Sequence, residues 1–61
     1  MITAQQKLRS LKRELAMRRN VYPNQVDRGR MKQSEAEYEI AVMESIVADY
    51  ELIVNRETEG L

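Results

Sequence analysis

The sequence predicts an all-α fold, an antiparallel two-helix hairpin with a short helical turn in the joint, and three observations lead to it. Apolar residues recur at helical spacing along two stretches of the 61-residue chain. Thr3 and Ser34, at the starts of those stretches, are typical helix N-caps. The single proline and one of the two glycines lie between the stretches, where a chain reversal is expected. The length allows one small domain.

The first helix is predicted over about residues 3–20. Thr3 and Gln6 have the spacing of a capping box at its start. Arg18 and Arg19 fall in its last turn, where they complement the negative end of the helix dipole. Four apolar residues, at i, i+4, i+7 and i+11, form one narrow stripe along it: Ala4, Leu8, Leu11 and Leu15.

The joint is predicted over residues 21–33. Pro23 suits the first turn of a short helix over residues 23–28, because its missing N–H is not needed there. Gly29 is expected to end that turn in the left-handed conformation. Tyr22 has two interpretations that the sequence leaves open. It either plugs the end of the hairpin or forms an exposed anchor for a partner.

The second helix is predicted over about residues 34–56, with a frayed tail over residues 57–61. Ser34 and Glu37 have the spacing of a capping box at its start. Spacings of four and three then alternate, as in a coiled-coil seam, through Ala36, Ile40, Met43, Val47, Tyr50 and Val54.

This second apolar face is wider than one neighbouring helix covers. We therefore expect a homodimer that forms a four-helix bundle, although a different protein would cover the same face equally well. The expected oligomer interface consists of Ile40, Met43, Ile46, Val47, Tyr50 and Ile53.

Charge is divided between the halves of the chain, although the net charge is zero. Residues 1–32 carry nine basic and two acidic residues, a balance of +7, and residues 33–61 carry one basic and eight acidic residues, a balance of −7. Such asymmetry indicates either nucleic-acid binding or self-association. A basic helix packed beside an acidic one favours pairing between the helices, and phosphate binding by the basic helix is the alternative.

The sequence lacks the residues that enzymes and metal-binding proteins most often use. The chain has no cysteine and no histidine, so the commonest general base and the commonest metal ligands are missing. We expect no enzymatic activity, no catalytic residue, no metal site and no cofactor. No apolar run approaches the roughly 20 residues of a membrane span, and no apolar signal segment stands at the N-terminus. A cytoplasmic protein with no membrane contact is the expectation.

The joint holds the candidates for partner binding. It concentrates arginine and tyrosine, the side chains that tend to dominate the energy of protein interfaces. The candidate residues are Arg18, Arg19, Tyr22, Arg28 and Arg30.

The stretch RRNVYPNQVDRGRMKQSEAEYEIAVMESIVADY also carries a pattern of its own. Its R-x-V-Y-P, G-R-M and E-I-x-V-M-x-x-I segments comprise Arg19, Val21, Tyr22, Pro23, Gly29, Arg30, Met31, Glu39, Ile40, Val42, Met43 and Ile46. Over about residues 8–50 the chain resembles a group of small helical proteins of tailed phages and prophages. The resemblance implies a bacterial host cytoplasm. By analogy it implies a regulator or inhibitor that binds a host or phage protein, and it transfers no functional residue.

Overall fold

Two helices joined by a five-residue turn form an antiparallel hairpin. The computed structural model describes residues 1–59 and contains helices α1 (Ala4–Asp27) and α2 (Gln33–Glu59). The described residues contain no strand. The helices pack against each other along most of their length, in a rod of 49 × 18 × 15 Å. The predicted all-α hairpin is therefore confirmed.

The start of α1 has the capping box that the sequence predicts. The backbone N–H of Gln6 donates to Thr3 Oγ1 at 3.1 Å. The backbone N–H of Thr3 donates in return to Gln6 Oε1 at 2.8 Å. Two of the N–H groups that a helix leaves without internal partners are satisfied in this way.

The end of α1 lies seven residues beyond the predicted one. The helix continues through Pro23 to Asp27, so the short separate helix expected in the joint is instead the last part of α1. Pro23 cannot donate to the carbonyl of Arg19, which costs a hydrogen bond. On both sides of Pro23 the apolar stripe of Leu8 and Leu15 continues with Tyr22 and Val26, which are half-buried. Their burial offsets the lost hydrogen bond. Packing of these apolar side chains outweighs the local preference of proline.

Gly29 ends the helix as predicted. Its φ is +72°, in the left-handed region that favours glycine. Its N–H donates to the carbonyl of Val26 at 3.0 Å, and the N–H of Arg30 donates to the carbonyl of Gln25 at 2.9 Å. These two bonds are those of a Schellman motif, so the carbonyls at the end of α1 are satisfied by the turn.

The start of α2 differs from the prediction. The helix begins at Gln33, so Ser34 lies within its first turn and does not cap it. The Glu37 carboxylate accepts a hydrogen bond from Gln33 Nε2 at 3.1 Å, along the helix surface. At the other end residues 57–59 are helical, although the sequence predicts fraying there. The rest of that predicted tail, residues 60–61, lies outside the described residues.

The core is a single layer of apolar side chains between the helices. Leu8 and Leu15 of α1 are buried against Met43 and Val47 of α2. Leu11, Ile40, Tyr50 and Val54 pack around them and stay partly exposed. No side chain of the described residues is completely buried. A two-helix layer this thin leaves both of its sides open to solvent.

Candidate interaction surface

The contact between the helices leaves a groove on each side, and one of the two has four apolar side chains among the ten residues that line it. Its apolar lining is Ile2 and Leu11 from the first half of the chain and Ile46 and Tyr50 from α2. Lys7, Arg9 and Arg13 lie at its α1 edge. We call this surface, which opens at the N-terminal end of α1, the apolar groove.

The second groove, on the opposite side, is edged by charge, and we call it the polar groove. Lys12 and Arg19 of α1 face Glu44 and Glu51 of α2 across it. The Nη2 of Arg19 and the Oε2 of Glu44 are 2.7 Å apart. Its floor is formed by Leu15 and Val47, which are buried. One ion pair therefore joins the helices on this side.

Exposed apolar residues extend the apolar groove along both helices. On α2, Val42 and Ile53 lie four residues before and seven residues after Ile46, on the same stripe. On α1, Met17 and Val21 lie three and seven residues beyond Glu14, which lines the groove. Met17, Val21 and Ile53 are 54%, 41% and 41% exposed. The result is a set of partly exposed apolar side chains on this side of the hairpin.

Arg18, predicted as a partner-binding residue, instead joins the two helices. Its Nη1 donates to the backbone carbonyl of Glu39 at 3.1 Å and lies 3.4 Å from the Glu39 carboxylate. Its Nε donates to Glu14 Oε1 at 3.2 Å. Its guanidinium also lies 5.8 Å from the centre of the Tyr22 ring. With its side chain only 20% exposed, Arg18 is committed to the hairpin itself.

The five candidate partner-binding residues do not form one cluster. Arg19 pairs with Glu44. Tyr22 lies beside Arg18 and is half-buried, so it is neither a fully buried plug of the hairpin nor a fully exposed anchor. Arg28 and Arg30 are exposed in the turn and form no ion pair within residues 1–59. The turn is therefore where arginine remains available to a partner.

The six candidate oligomer-interface residues divide in a similar way. Met43 and Val47 are buried in the hairpin core, and Ile40 and Tyr50 pack against that core. These four are already in contact within one chain. Ile46 and Ile53 remain on the open side. The predicted oligomer interface is thus largely the contact between α1 and α2 of one chain. A heptad seam identifies the face that becomes buried, but not which helix buries it.

The α1 side of the apolar groove is not predicted from the sequence, because Leu11 belongs to the predicted core stripe and Met17 is interpreted as filler of the core or its edge. A signal was present, because Met17 and Val21 are four residues apart and share a face adjacent to Leu11. Such a second stripe indicates that α1 has more apolar surface than α2 alone covers.

Comparison with protein-family models, with curated proteins and with solved structures finds no match to this chain. Neither α1 nor α2 is long and apolar enough to cross a membrane. Among residues 1–59, no three acidic side chains converge to hold a metal ion. The apolar groove and the arginine-bearing turn are the features that remain to be explained.

Proposed function

We propose that the chain is a non-enzymatic protein-interaction module, a regulator or inhibitor of a host or phage protein in the bacterial cytoplasm. The observation that carries this proposal is the apolar groove. Leu11, Ile46 and Tyr50 stay partly exposed beside this groove, and a partner that buries them gains the free energy of removing apolar surface from water. The resemblance to small phage proteins supports the bacterial setting.

The module works as a homodimer that forms a four-helix bundle. The accessible surface of the chain is 4951 Å². A folded monomer of 7.2 kDa exposes about 4,100 Å² by the usual scaling of surface with mass. The chain thus exposes roughly 800 Å² more than a compact monomer of its mass, as a thin rod does, and this excess is comparable to the area that one partner contributes to an interface of standard size. A hairpin with such a thin core gains stability by burying that area.

Light scattering tests the dimer. The wild-type chain should have twice its monomer mass of 7.2 kDa at micromolar concentration. Ile46→Asp should raise the dimer Kd by at least about 100-fold, because burying a carboxylate without a partner costs about 3 kcal/mol or more. Leu52→Asp is the matched control, since Leu52 is 58% exposed and lies outside both grooves. A monomeric wild type would refute the dimer.

The turn supplies the contact with the regulated protein. Arg28 and Arg30 are exposed there, and arginine is enriched among the residues that anchor interfaces. Arg28→Ala with Arg30→Ala should abolish enrichment of a specific partner in quantitative crosslinking from a bacterial lysate, with helicity and mass unchanged. Arg9→Ala with Arg13→Ala removes the same charge from α1 and should retain the partner. Equal loss in both variants would indicate nonspecific attraction.

Nucleic-acid binding is the second candidate function, and one observation favours it. Of the nine cations in residues 1–32, only Arg18 and Arg19 form ion pairs within residues 1–59. The other seven leave the basic half of the chain poorly neutralised by α2.

Fluorescent duplex and single-stranded DNA, titrated between about 50 and 200 mM salt, test this function. Specific use of α1 predicts an affinity that falls steeply with salt and is lost when Arg9, Lys12 and Arg13 are neutralised. Arg18 and Arg19 are unsuitable for this test because both already form ion pairs with glutamates of the chain. Absence of binding at low salt would leave the protein-interaction function alone.

A further inference from the structure

We infer that the apolar groove is covered by a second copy of this chain, with α1 of each copy against α2 of the other and both turns at the same end. The inference rests on the homodimer proposed above and specifies its geometry. Two features of the described residues carry it: the single apolar side of the hairpin and the separation of charge between its helices.

Two-fold symmetry allows two ways to bury one apolar side against its copy. If the axis runs along the hairpin, α1 lies on the partner's α2 and the two turns lie together. If the axis runs across the hairpin, α1 lies on the partner's α1 and the turns lie at opposite ends. Facing helices are antiparallel in both arrangements, so helix dipoles do not distinguish them.

Charge distinguishes the two arrangements. Within Ala4–Asp27, α1 has six basic and two acidic residues, a balance of +4. Within Gln33–Glu59, α2 has one basic and eight acidic residues, a balance of −7. The axis across the hairpin would place like charge on like charge along both helix pairs. The axis along the hairpin places basic α1 on acidic α2, as within each chain.

The edges of the apolar groove show the same complementarity. Lys7, Arg9 and Arg13 stand along its α1 edge. On α2, Asp49 lies three residues beyond Ile46, towards the outer side of that helix. In the arrangement with the turns together, these cations approach the acidic helix of the partner. Repulsion between like charges disfavours the alternative, which is a common source of specificity between helices.

The apolar residues of α1 and α2 also lie at matching positions along the long axis of the hairpin. Leu11 lies level with Ile46 and Tyr50, because all three line one groove. A two-fold axis along the hairpin leaves heights unchanged, so Leu11 meets Ile46 and Tyr50 of the other copy. Each copy then covers the apolar groove of the other with the same residues, as a symmetric interface requires.

The arrangement has a consequence for function. It brings the exposed Arg28 and Arg30 of both copies to one end of the bundle. The two proposed partner contacts then lie side by side and can engage one protein together. With the axis across the hairpin, they would lie at opposite ends of a rod 49 Å long.

Spin-label distances test the geometry, and the chain has no native cysteine to interfere. Arg30→Cys marks the turn, and Gln5→Cys marks the start of α1. With helix axes about 10 Å apart, two labels at the same position should lie within about 30 Å of each other. A mixed sample, with one position labelled in each copy, should give about 40 Å, because Gln5 and Arg30 lie near opposite ends of α1 and a helix rises 1.5 Å per residue.

The opposite pattern, long distances between identical positions and a short one in the mixed sample, would overturn this geometry and leave the homodimer intact. A sample without any distance between copies, with a monomer mass in light scattering, would overturn both the homodimer and its geometry. Leu52→Cys with a small neutral adduct serves as the control for labelling, because Leu52 lies outside both grooves.

Discussion

The two grooves are formed by the same pair of helices, yet they meet solvent in different ways. In the polar groove, Arg19 and Glu44 pair above the buried Leu15 and Val47. In the apolar groove, Leu11, Ile46 and Tyr50 are partly exposed. The core stripe is shared by both sides, so it does not cause the difference.

The difference arises from the residues beside the core stripe. On the polar side both helices carry charged residues, and Arg19 of α1 pairs with Glu44 of α2. On the apolar side α1 is charged as well, with Lys7, Arg9 and Arg13, but α2 continues with the apolar Val42 and Ile53 and offers no acidic partner among the residues that line the groove. The same hairpin thus has an ion pair between its helices on one side and partly exposed apolar side chains on the other. That asymmetry is the physical basis of the interaction function proposed here.

The largest expected effects come from substituting two leucines, Leu15 in the core and Leu11 at the apolar groove. Their different costs in the free energy of unfolding distinguish the two places. Leu15→Ala should lower the free energy of unfolding by about 3 kcal/mol, because it leaves a cavity beside Met43 and Val47. Leu11→Ala removes a half-buried side chain and should cost about 1–2 kcal/mol in the monomer. Chemical denaturation followed by circular dichroism measures both.

Protein concentration sharpens this comparison. Leu11 lines the proposed dimer interface, so the effect of Leu11→Ala should grow from about 5 to 500 µM protein, by mass action. The effect of Leu15→Ala should not change with concentration. If Leu15→Ala proves unfolded, Leu15→Val provides the same comparison with a smaller loss. Concentration-independent effects for both leucines would contradict a dimer formed through the apolar groove.

Two neighbouring arginines provide the next comparison. Arg18→Met should lower the free energy of unfolding by about 2 kcal/mol, because the side chain is 20% exposed and bonds to both helices. Arg19→Met should cost only about 0.5 kcal/mol, because its ion pair with Glu44 is half-exposed and screened by water and salt. Methionine retains most of the apolar stem in each case.

Double-mutant cycles separate the ion pair from the other effects of each substitution. The cycle of Arg18 with Glu39→Gln should give a smaller coupling than the full effect of Arg18→Met, because the backbone carbonyl of Glu39 remains. The cycle of Arg19 with Glu44→Gln should account for most of the effect of Arg19→Met. Equal costs for the two arginines would show that Arg18 has no special role in joining the helices.

Local signals in the sequence predict the two ends of α1 unequally. The capping box of Thr3 and Gln6 is a local feature, and it forms as predicted. The predicted end at residue 20 is wrong, because α1 continues through Pro23 to Asp27. Tyr22 and Val26 are half-buried in this added part, and their burial favours a continued helix over the local preference of proline.

The sequence also predicts the charge pairing of the helices without identifying the pairs. A basic helix beside an acidic one makes ion pairs expected, and Arg19 with Glu44 is one of them. The identity of each pair depends on the register of α1 against α2. That register depends on how the two apolar faces pack, which the spacing of residues within one helix does not contain. Arg18 is predicted to face a partner because it stands in a stretch rich in arginine that also holds Tyr22.

Gly29, in the turn between the helices, offers the smallest of the expected effects. Gly29→Ala should lower the free energy of unfolding by about 1 kcal/mol, because φ is +72° and an added Cβ meets nothing within 4 Å. The cost is therefore conformational, without a steric clash. Gly29→Asn should cost less, since asparagine tolerates the left-handed region better. Thermal unfolding of the two variants measures the difference.

Both grooves should survive these turn substitutions. The hydrogen bonds of Gly29 and Arg30 to α1 hold the turn locally, whereas Arg18 and the core hold the helices to each other. Gly29→Ala should therefore be less stable yet still dimeric, with the coupling between Arg19 and Glu44 unchanged. If Gly29→Ala abolished that coupling, the glycine would control the register of the whole hairpin. Gly29→Asn would then restore the coupling in proportion to the stability that it recovers.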